Sequence, residues 1–121
     1  MADRSFELRV QPGTQEGVTV IAVSGALVLE HVFKFQDAWR AAQDGGIVFD
    51  LAGVEYMDSA AIGSLVNAHV ACTNRGKKMA LAGVSNRVRQ MLSVTRVDTL
   101  FKFCPDVPAA EATVNGTAAH A

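Results

Sequence analysis

The sequence holds few of the residues with which a protein runs chemistry of its own. Only two cysteines occur among 121 residues, Cys72 and Cys104. They form no CxxC pair, which leaves no zinc knuckle or disulfide framework. Both are expected as reduced, half-buried small hydrophobes. The histidines His31, His69 and His120 do not stand at metal-ligand intervals, and neither cysteine lies beside one at a recognised spacing. No phosphate-cradling GxxxxGK[ST] or GxGxxG occurs. Asp50, Glu55 and Asp58 are close in sequence, but nothing in their surroundings marks an apolar pocket that would split carboxylates into acid and base roles. The expectation is a non-enzyme with no catalytic residue, no metal and no cofactor.

Concentrated positive charge is also missing. Eleven Lys and Arg against twelve Asp and Glu give a net charge of -1, and the basic residues are scattered. Phosphate neutralisation needs a basic face, so nucleic acid is excluded as the expected partner. No stretch approaches the roughly 20 apolar residues of a membrane span; Val18 to Ser24, the most apolar run, has strand length. Met1 to Val10 alternates charged and apolar residues without a basic segment leading into an apolar one, so no signal peptide is expected. The sequon Asn115-Gly116-Thr117 then carries no meaning, and a cytoplasmic location without membrane insertion follows as the expectation.

What is present reads as one ordinary globular domain, 50% hydrophobic and 19% charged. Its hydrophobic period switches repeatedly between 2 and 3.6. Phe6, Leu8 and Val10 alternate with Glu7 and Arg9 as a half-exposed strand, which Gln11-Pro12-Gly13 breaks as a turn. Val18 to Ser24 is β-branched and nearly continuous, a covered central strand ended by Gly25. Val32, Phe35, Trp39 and Ala42 mark one face of a helix that Gly45-Gly46 stops. Ile47 to Leu51 is a second buried strand, followed by an expected loop from Ala52 to Met57. A helix then starts at Asp58-Ser59, carries Ile62, Leu65, Val66 and Cys72 on one face, and closes at Asn74-Arg75-Gly76. Met79 to Ala82 is a short strand, Ser85 an N-cap for a helix with Val88, Met91, Leu92 and Thr95, and Leu100 to Phe103 a last strand. From Ala109 to Ala121 a short helix or a disordered tail is expected. The order β-β-α-β-α-β-α-β, with a possible final α, implies a largely parallel sheet with an antiparallel start.

One segment stands apart: Val54-Glu55-Tyr56-Met57-Asp58-Ser59-Ala60-Ala61-Ile62-Gly63. A buried strand hands over to a helix of small residues through an Asp-Ser pair. Unpaired N–H groups and a partial positive charge at a helix N-terminus suit an acceptor oxygen or an added phosphate. The plainer role for Asp58 or Ser59 is to cap the helix, a contribution of about 1 kcal/mol.

From Phe6 to Phe103 the chain resembles the STAS domains of bacterial anti-sigma factor antagonists. Tyr56-Met57-Asp58-Ser59-Ala60-Ala61-Ile62-Gly63 is similar to that family's hydrophobic-Met-Asp-Ser-[Ser/Thr]-Gly-Leu-Gly. Arg75-Gly76, the run Leu81 to Val88, and Val97 to Phe101 resemble further family segments. The resemblance implies a single STAS-like α/β domain over 1–108, with a mostly parallel sheet of about five strands, the first antiparallel, and helices packed mainly on one face. It implies a partner switch. Ser59 matches the serine that an anti-sigma factor kinase of the histidine-kinase-like ATPase fold phosphorylates and a phosphatase restores, and the unmodified protein binds the anti-sigma factor. Met57, Asp58, Ser59, Ala61, Ile62, Gly63, Gly25, Leu27 and Glu30 are the expected partner-binding residues. Two departures stand out. Where the family has Gly-Glu-Leu-Asp, a stretch that helps contact the kinase, this chain has Gly25-Ala26-Leu27-Val28, with Glu30 the nearest carboxylate. Ala60 and Ala61 replace a hydroxyl residue and a glycine. The alternatives are a STAS scaffold or accessory subunit, of a stress-sensing complex or a lipid transporter, that works without phosphorylation, and a small-molecule binder or enzyme using a pocket near the helix N-termini. Oligomeric state stays open.

Overall fold

A computed structural model describes residues 6–42 and 45–115. Strands β1 (Glu7–Pro12), β2 (Val18–Leu27), β3 (Gly46–Met57), β4 (Met79–Ala82) and β5 (Phe103–Cys104) form one sheet in the order β1-β2-β3-β4-β5. β1 runs antiparallel to β2, and the other neighbours pair in parallel. Helices α1 (Leu29–Ala41), α2 (Ser59–Asn74), α3 (Asn86–Val94) and α4 (Val107–Val114) complete the domain. The expected α/β architecture holds.

Strand alternation divides the core in two. On one face Ile21, Val23, Ile47, Phe49, Leu51 and Leu81 pack against the apolar sides of α1, α2 and α3, with Phe35 and Phe49 in direct ring contact at 5.3 Å. Both phenylalanines are fully buried, so truncating either to alanine removes about 3–5 kcal/mol. On the other face Val18, Val20, Val48, Ala80 and Ala82 meet Ala110 and Val114 of α4. Three helices cover one side and a single short one the other.

Several boundaries differ from the sequence reading. β2 runs through Gly25, its expected end, to Leu27, and β1 takes in Gln11 and Pro12 of the expected turn, because both stretches stay paired in the sheet. The expected loop from Ala52 to Met57 is strand, part of β3. Pairing with β2 steps from Ala22–Asp50 to Ser24–Gly53, and again from Gly25–Val54 to Ala26–Tyr56, so β3 carries one extra residue at each step. Each bulge reverses which face the following residues point to. Inward residues Leu51, Val54 and Met57 therefore fall three apart, and the period of two that signals a strand is lost. The expected last strand, Leu100 to Phe103, is instead a 3-10 turn (Asp98–Leu100) followed by β5 at Phe103–Cys104. Leu100 N and Phe101 N donate to Val97 O and Asp98 O at 3.0 and 3.3 Å, so local bonds take the donors a longer strand would need. The chain end is helical from Val107, ahead of Ala109. Asp106 caps it, its Oδ1 accepting from Ala109 N at 3.0 Å, and Pro108 sits in the first turn. His120, most of the sequon and the end of the expected tail lie outside the described residues.

α4 is also tied to the β1–β2 turn. Glu111 is buried, and its carboxylate accepts from Gln15 N at 2.9 Å and from Thr14 N and Thr14 Oγ1 at 3.2 Å each. A buried carboxylate is tolerated only when donors replace its lost water, and the turn supplies three.

Candidate functional site

The C-terminal ends of parallel strands β2 and β3 release α1 and α2 side by side, and Asp58 joins them. Its Oδ1 accepts from Ala61 N at 3.0 Å, the N-cap bond of α2. Its Oδ2 accepts from Leu29 N at 2.9 Å. Leu29 opens α1, whose own N-cap residue, Val28, has no side chain able to cap. One carboxylate therefore caps two helices, placing a negative charge where two positive dipole ends converge. Asp58 N also donates to Leu27 O at 3.3 Å. Asp58 is a structural joint.

That leaves Ser59 relieved of capping. It is exposed at the first position of α2, and its hydroxyl has no hydrogen-bond partner among the described residues. Ser59 borders a groove of about 400 Å³ between the start of α2 and α3, with Tyr56, Ile62, Met91 and Val94 along its apolar walls and Arg87 at its edge. The Arg87 guanidinium lies 5.9 Å from the Tyr56 ring centre. On the α1 side, Leu29 and Phe33 stand out at 60% and 70% exposure, and Val94 on α3 reaches 76%. Leu29 and Phe33 are one turn apart and share a helix face. Exposed Tyr56 and Val94 share the groove with the serine, and exposed Leu29 opens the neighbouring helix that Asp58 caps.

The nine expected partner-binding residues separate by burial. Ser59, Gly63 and Glu30 are exposed and Asp58 is half-buried. Met57, Ala61, Leu27, Gly25 and Ile62 are buried; of these, Met57 and Ile62 still line the groove beside Ser59, while Ala61, Leu27 and Gly25 support the exposed residues from beneath. Gly25 has φ +91°, the left-handed region that a glycine enters without strain. The Gly63 Cα faces open space, and a methyl group added there would meet nothing within 4 Å. Sequence reading missed Leu29, Phe33, Arg87 and Val94. Phe33 carried a signal: it directly follows inward-facing Val32, an aromatic out of phase with the α1 stripe. Arg87 and Val94 carried none, since only the tertiary fold brings α3 beside Ser59.

Elsewhere the hydroxyl of Ser64, buried in the middle of α2, accepts from Trp39 Nε1 at 3.1 Å and pins α2 to α1. Burial pushes the Cys72 thiol up, partly offset by the positive charge of Arg75. A protonated, buried thiol is a packing group rather than a nucleophile.

The STAS domain family model matches residues 9–110. The chain belongs to the STAS domain family. An anti-sigma factor antagonist from Mycobacterium paratuberculosis superposes with a TM-score of 0.80 at 21% identity, covering 94% of this chain and 97% of that one. A STAS domain protein from Planctomyces limnophilus gives 0.78 at 26% identity, covering 89% and 97%. The Bacillus cell fate determinant SpoIIAA in its phosphorylated form gives 0.68 at 15% identity, covering 90% and 99%. The same STAS fold occurs inside larger proteins: the murine anion transporter Slc26a9 gives 0.73 at 14% identity, covering 95% of this chain and 23% of the transporter. Among the described residues no helix is long and apolar enough to cross a membrane.

Proposed function

We propose that this STAS domain is a non-enzymatic, cytoplasmic partner switch, an anti-sigma factor antagonist whose affinity for an anti-sigma factor is set by phosphorylation of Ser59. The supporting observation is the division of labour at the head of α2. Asp58 alone caps both helices, so Ser59 presents a hydroxyl that the fold does not use, beside a groove with exposed Tyr56 and Val94 and next to exposed Leu29 at the head of α1. A phosphoryl group there adds about -1.5 to -2 charges at a helix N-terminus, where the dipole favours it. The domain stays folded. A partner covering this groove would meet that charge beside Asp58 and Glu30, and like-charge repulsion with desolvation would expel it. ATP and magnesium belong to the kinase, a serine kinase of the histidine-kinase-like ATPase fold, and a phosphatase resets the switch.

The test is incubation with Mg-ATP and the candidate kinase, followed by phosphopeptide mapping and binding measurements. Phosphate is expected on Ser59 and nowhere in Ser59→Ala. Ser59→Asp keeps the parent melting temperature and loses anti-sigma binding. A chain that takes no phosphate, together with a Ser59→Asp variant that binds normally, ends this reading. The second reading is a STAS scaffold or accessory subunit not controlled by phosphorylation. It is favoured by Gly25 to Val28, which carry no carboxylate where the kinase-contacting stretch would have two. Affinity capture that returns transporter or stress-complex subunits, without a kinase, would select it.

A further inference from the structure

The pole opposite Ser59 carries a second cavity. α2 separates the two ends by about 24 Å, sixteen residues at 1.5 Å each. At the far end, where the chain enters β4 and β5, a cavity of about 360 Å³ is bordered by Lys77, Lys78 and Lys102, with His69 and Thr113 beside them and buried Cys72 and Met79 beneath. The chain has four lysines, and three of them meet here. None of the three side chains has a hydrogen-bond, ion-pair or ring partner among the described residues, and no carboxylate borders the cavity.

In a chain of net charge -1, three lysines without an ion pair among the described residues around one hollow are a local excess of positive charge, and the Glu16 carboxylate borders the adjoining cavity that Lys77 and Lys78 also line rather than this one. Lysine holds phosphate and carboxylate groups as a point charge. The volume lies at the lower end of the range of small-ligand sites, about 300–1,000 Å³, which join an apolar floor to a few polar anchors. The position is fixed by the fold: Gly76, at φ +69°, closes α2 as Lys77 N donates to Cys72 O at 2.8 Å and Gly76 N to Thr73 O at 3.0 Å. This double-bonded cap turns the chain sharply and delivers Lys77 and Lys78 to the cavity mouth.

We infer that this cavity binds an anion with a phosphate or carboxylate head and a short apolar body, the lysines holding the head and the floor over Cys72 and Met79 taking the body. The site is remote from Ser59 and independent of the partner-switch reading.

The test is calorimetric titration of hexyl phosphate into the full chain at low and high salt. Saturable one-to-one binding is expected, with a Kd on the order of 0.1–1 mM for a probe of this size. Affinity falls as salt rises. A Lys78→Ala/Lys102→Ala variant, altered only at exposed side chains and checked by circular dichroism, should bind at least about tenfold more weakly. Lys34→Ala, on α1 and away from the cavity, should bind as the parent does, and hexanol should not bind. Absence of binding by hexyl phosphate, or equal binding by the double-lysine variant, overturns the inference. Co-sedimentation with phosphatidic acid vesicles identifies the source. Lysine-dependent sedimentation marks a lipid headgroup. Binding of hexyl phosphate without sedimentation marks a soluble anion.

Discussion

Removing the Asp58 carboxylate tests whether one side chain holds two helices. In Asp58→Ala, α2 loses its N-cap bond, about 1 kcal/mol. α1 loses the bond from Leu29 N, about 0.5–1 kcal/mol for a solvent-accessible contact. The two dipole ends lose their neutralising charge, about 0.5–1 kcal/mol together. The sum is about 2–3 kcal/mol, or about 8–12 °C in melting temperature for a chain of this length. Asp58→Asn keeps one acceptor oxygen and should cost about half as much. The inter-helix bond can be isolated with Leu29→Pro. Proline at the first helical position removes only an N–H that has no partner within the helix. Val28 is extended at φ -132°, ψ 174°, as a residue before proline requires. In the Leu29→Pro background, Asp58→Ala should cost about 0.5–1 kcal/mol less than in the parent. Urea denaturation of the four proteins, with constant slopes, measures this coupling. Full additivity would show that the bond to Leu29 contributes nothing, and a total loss for Asp58→Ala below about 1 kcal/mol would refute the joint altogether.

Four further outcomes are expected. Gly63→Ala should raise stability by about 0.5–1 kcal/mol, since a helix-interior glycine with open space around it gains a better helix former; the same variant should weaken partner binding if the partner's backbone approaches this exposed position, which a paired melting and binding measurement checks. Arg96 closes α3 in the left-handed region at φ 63°, with Arg96 N donating to Ser93 O and Val97 N to Leu92 O; Arg96→Gly should gain about 1 kcal/mol in chemical denaturation. Glu111→Ala leaves two part-buried turn amides and a hydroxyl without their acceptor, and should lose about 1–3 kcal/mol, with Glu111→Gln intermediate. Because burial raises the Cys72 thiol above its unfolded value, its contribution to stability is fully present below the ordinary thiol pKa and is lost as pH rises through the raised one; the alkaline fall in denaturation midpoint should shrink in Cys72→Ala, measured against that variant's own neutral-pH midpoint.

Much of this structure was legible wherever one period ran unbroken. Val32, Phe35 and Trp39 faced inward as their spacing requires. Ser85 capped α3 through Val88 N at 3.1 Å, and Gly76 closed α2. β3 became unreadable where its bulges turned a period of two into a period of three. The site was half legible for a related reason. Asp58 and Ser59 announce a helix start, and local chemistry identifies them. That Asp58 also serves α1 depends on Val28 being unable to cap and on two strand ends lying side by side, which no local pattern encodes. Burial of Met57, Ala61 and Leu27 likewise follows from packing over the strand ends rather than from residue type. Ser64 was unreadable for the complementary reason: a hydroxyl on the buried side of α2 is stable only because Trp39, 25 residues earlier, brings it a donor.

The Glu111 contact has a consequence for the order in which the molecule can be completed. Thr14 and Gln15 are made 97 and 96 positions ahead of the acceptor that fixes them. On the ribosome the opening hairpin waits with its tip unanchored while the rest of the sheet is translated, and the lower face of that sheet stays wet until the same segment arrives. Without α4, the sheet face formed by Val18, Val20 and Val48 has no cover from Ala110 and Val114, and exposed apolar surface of that kind is what quality-control proteins recognise.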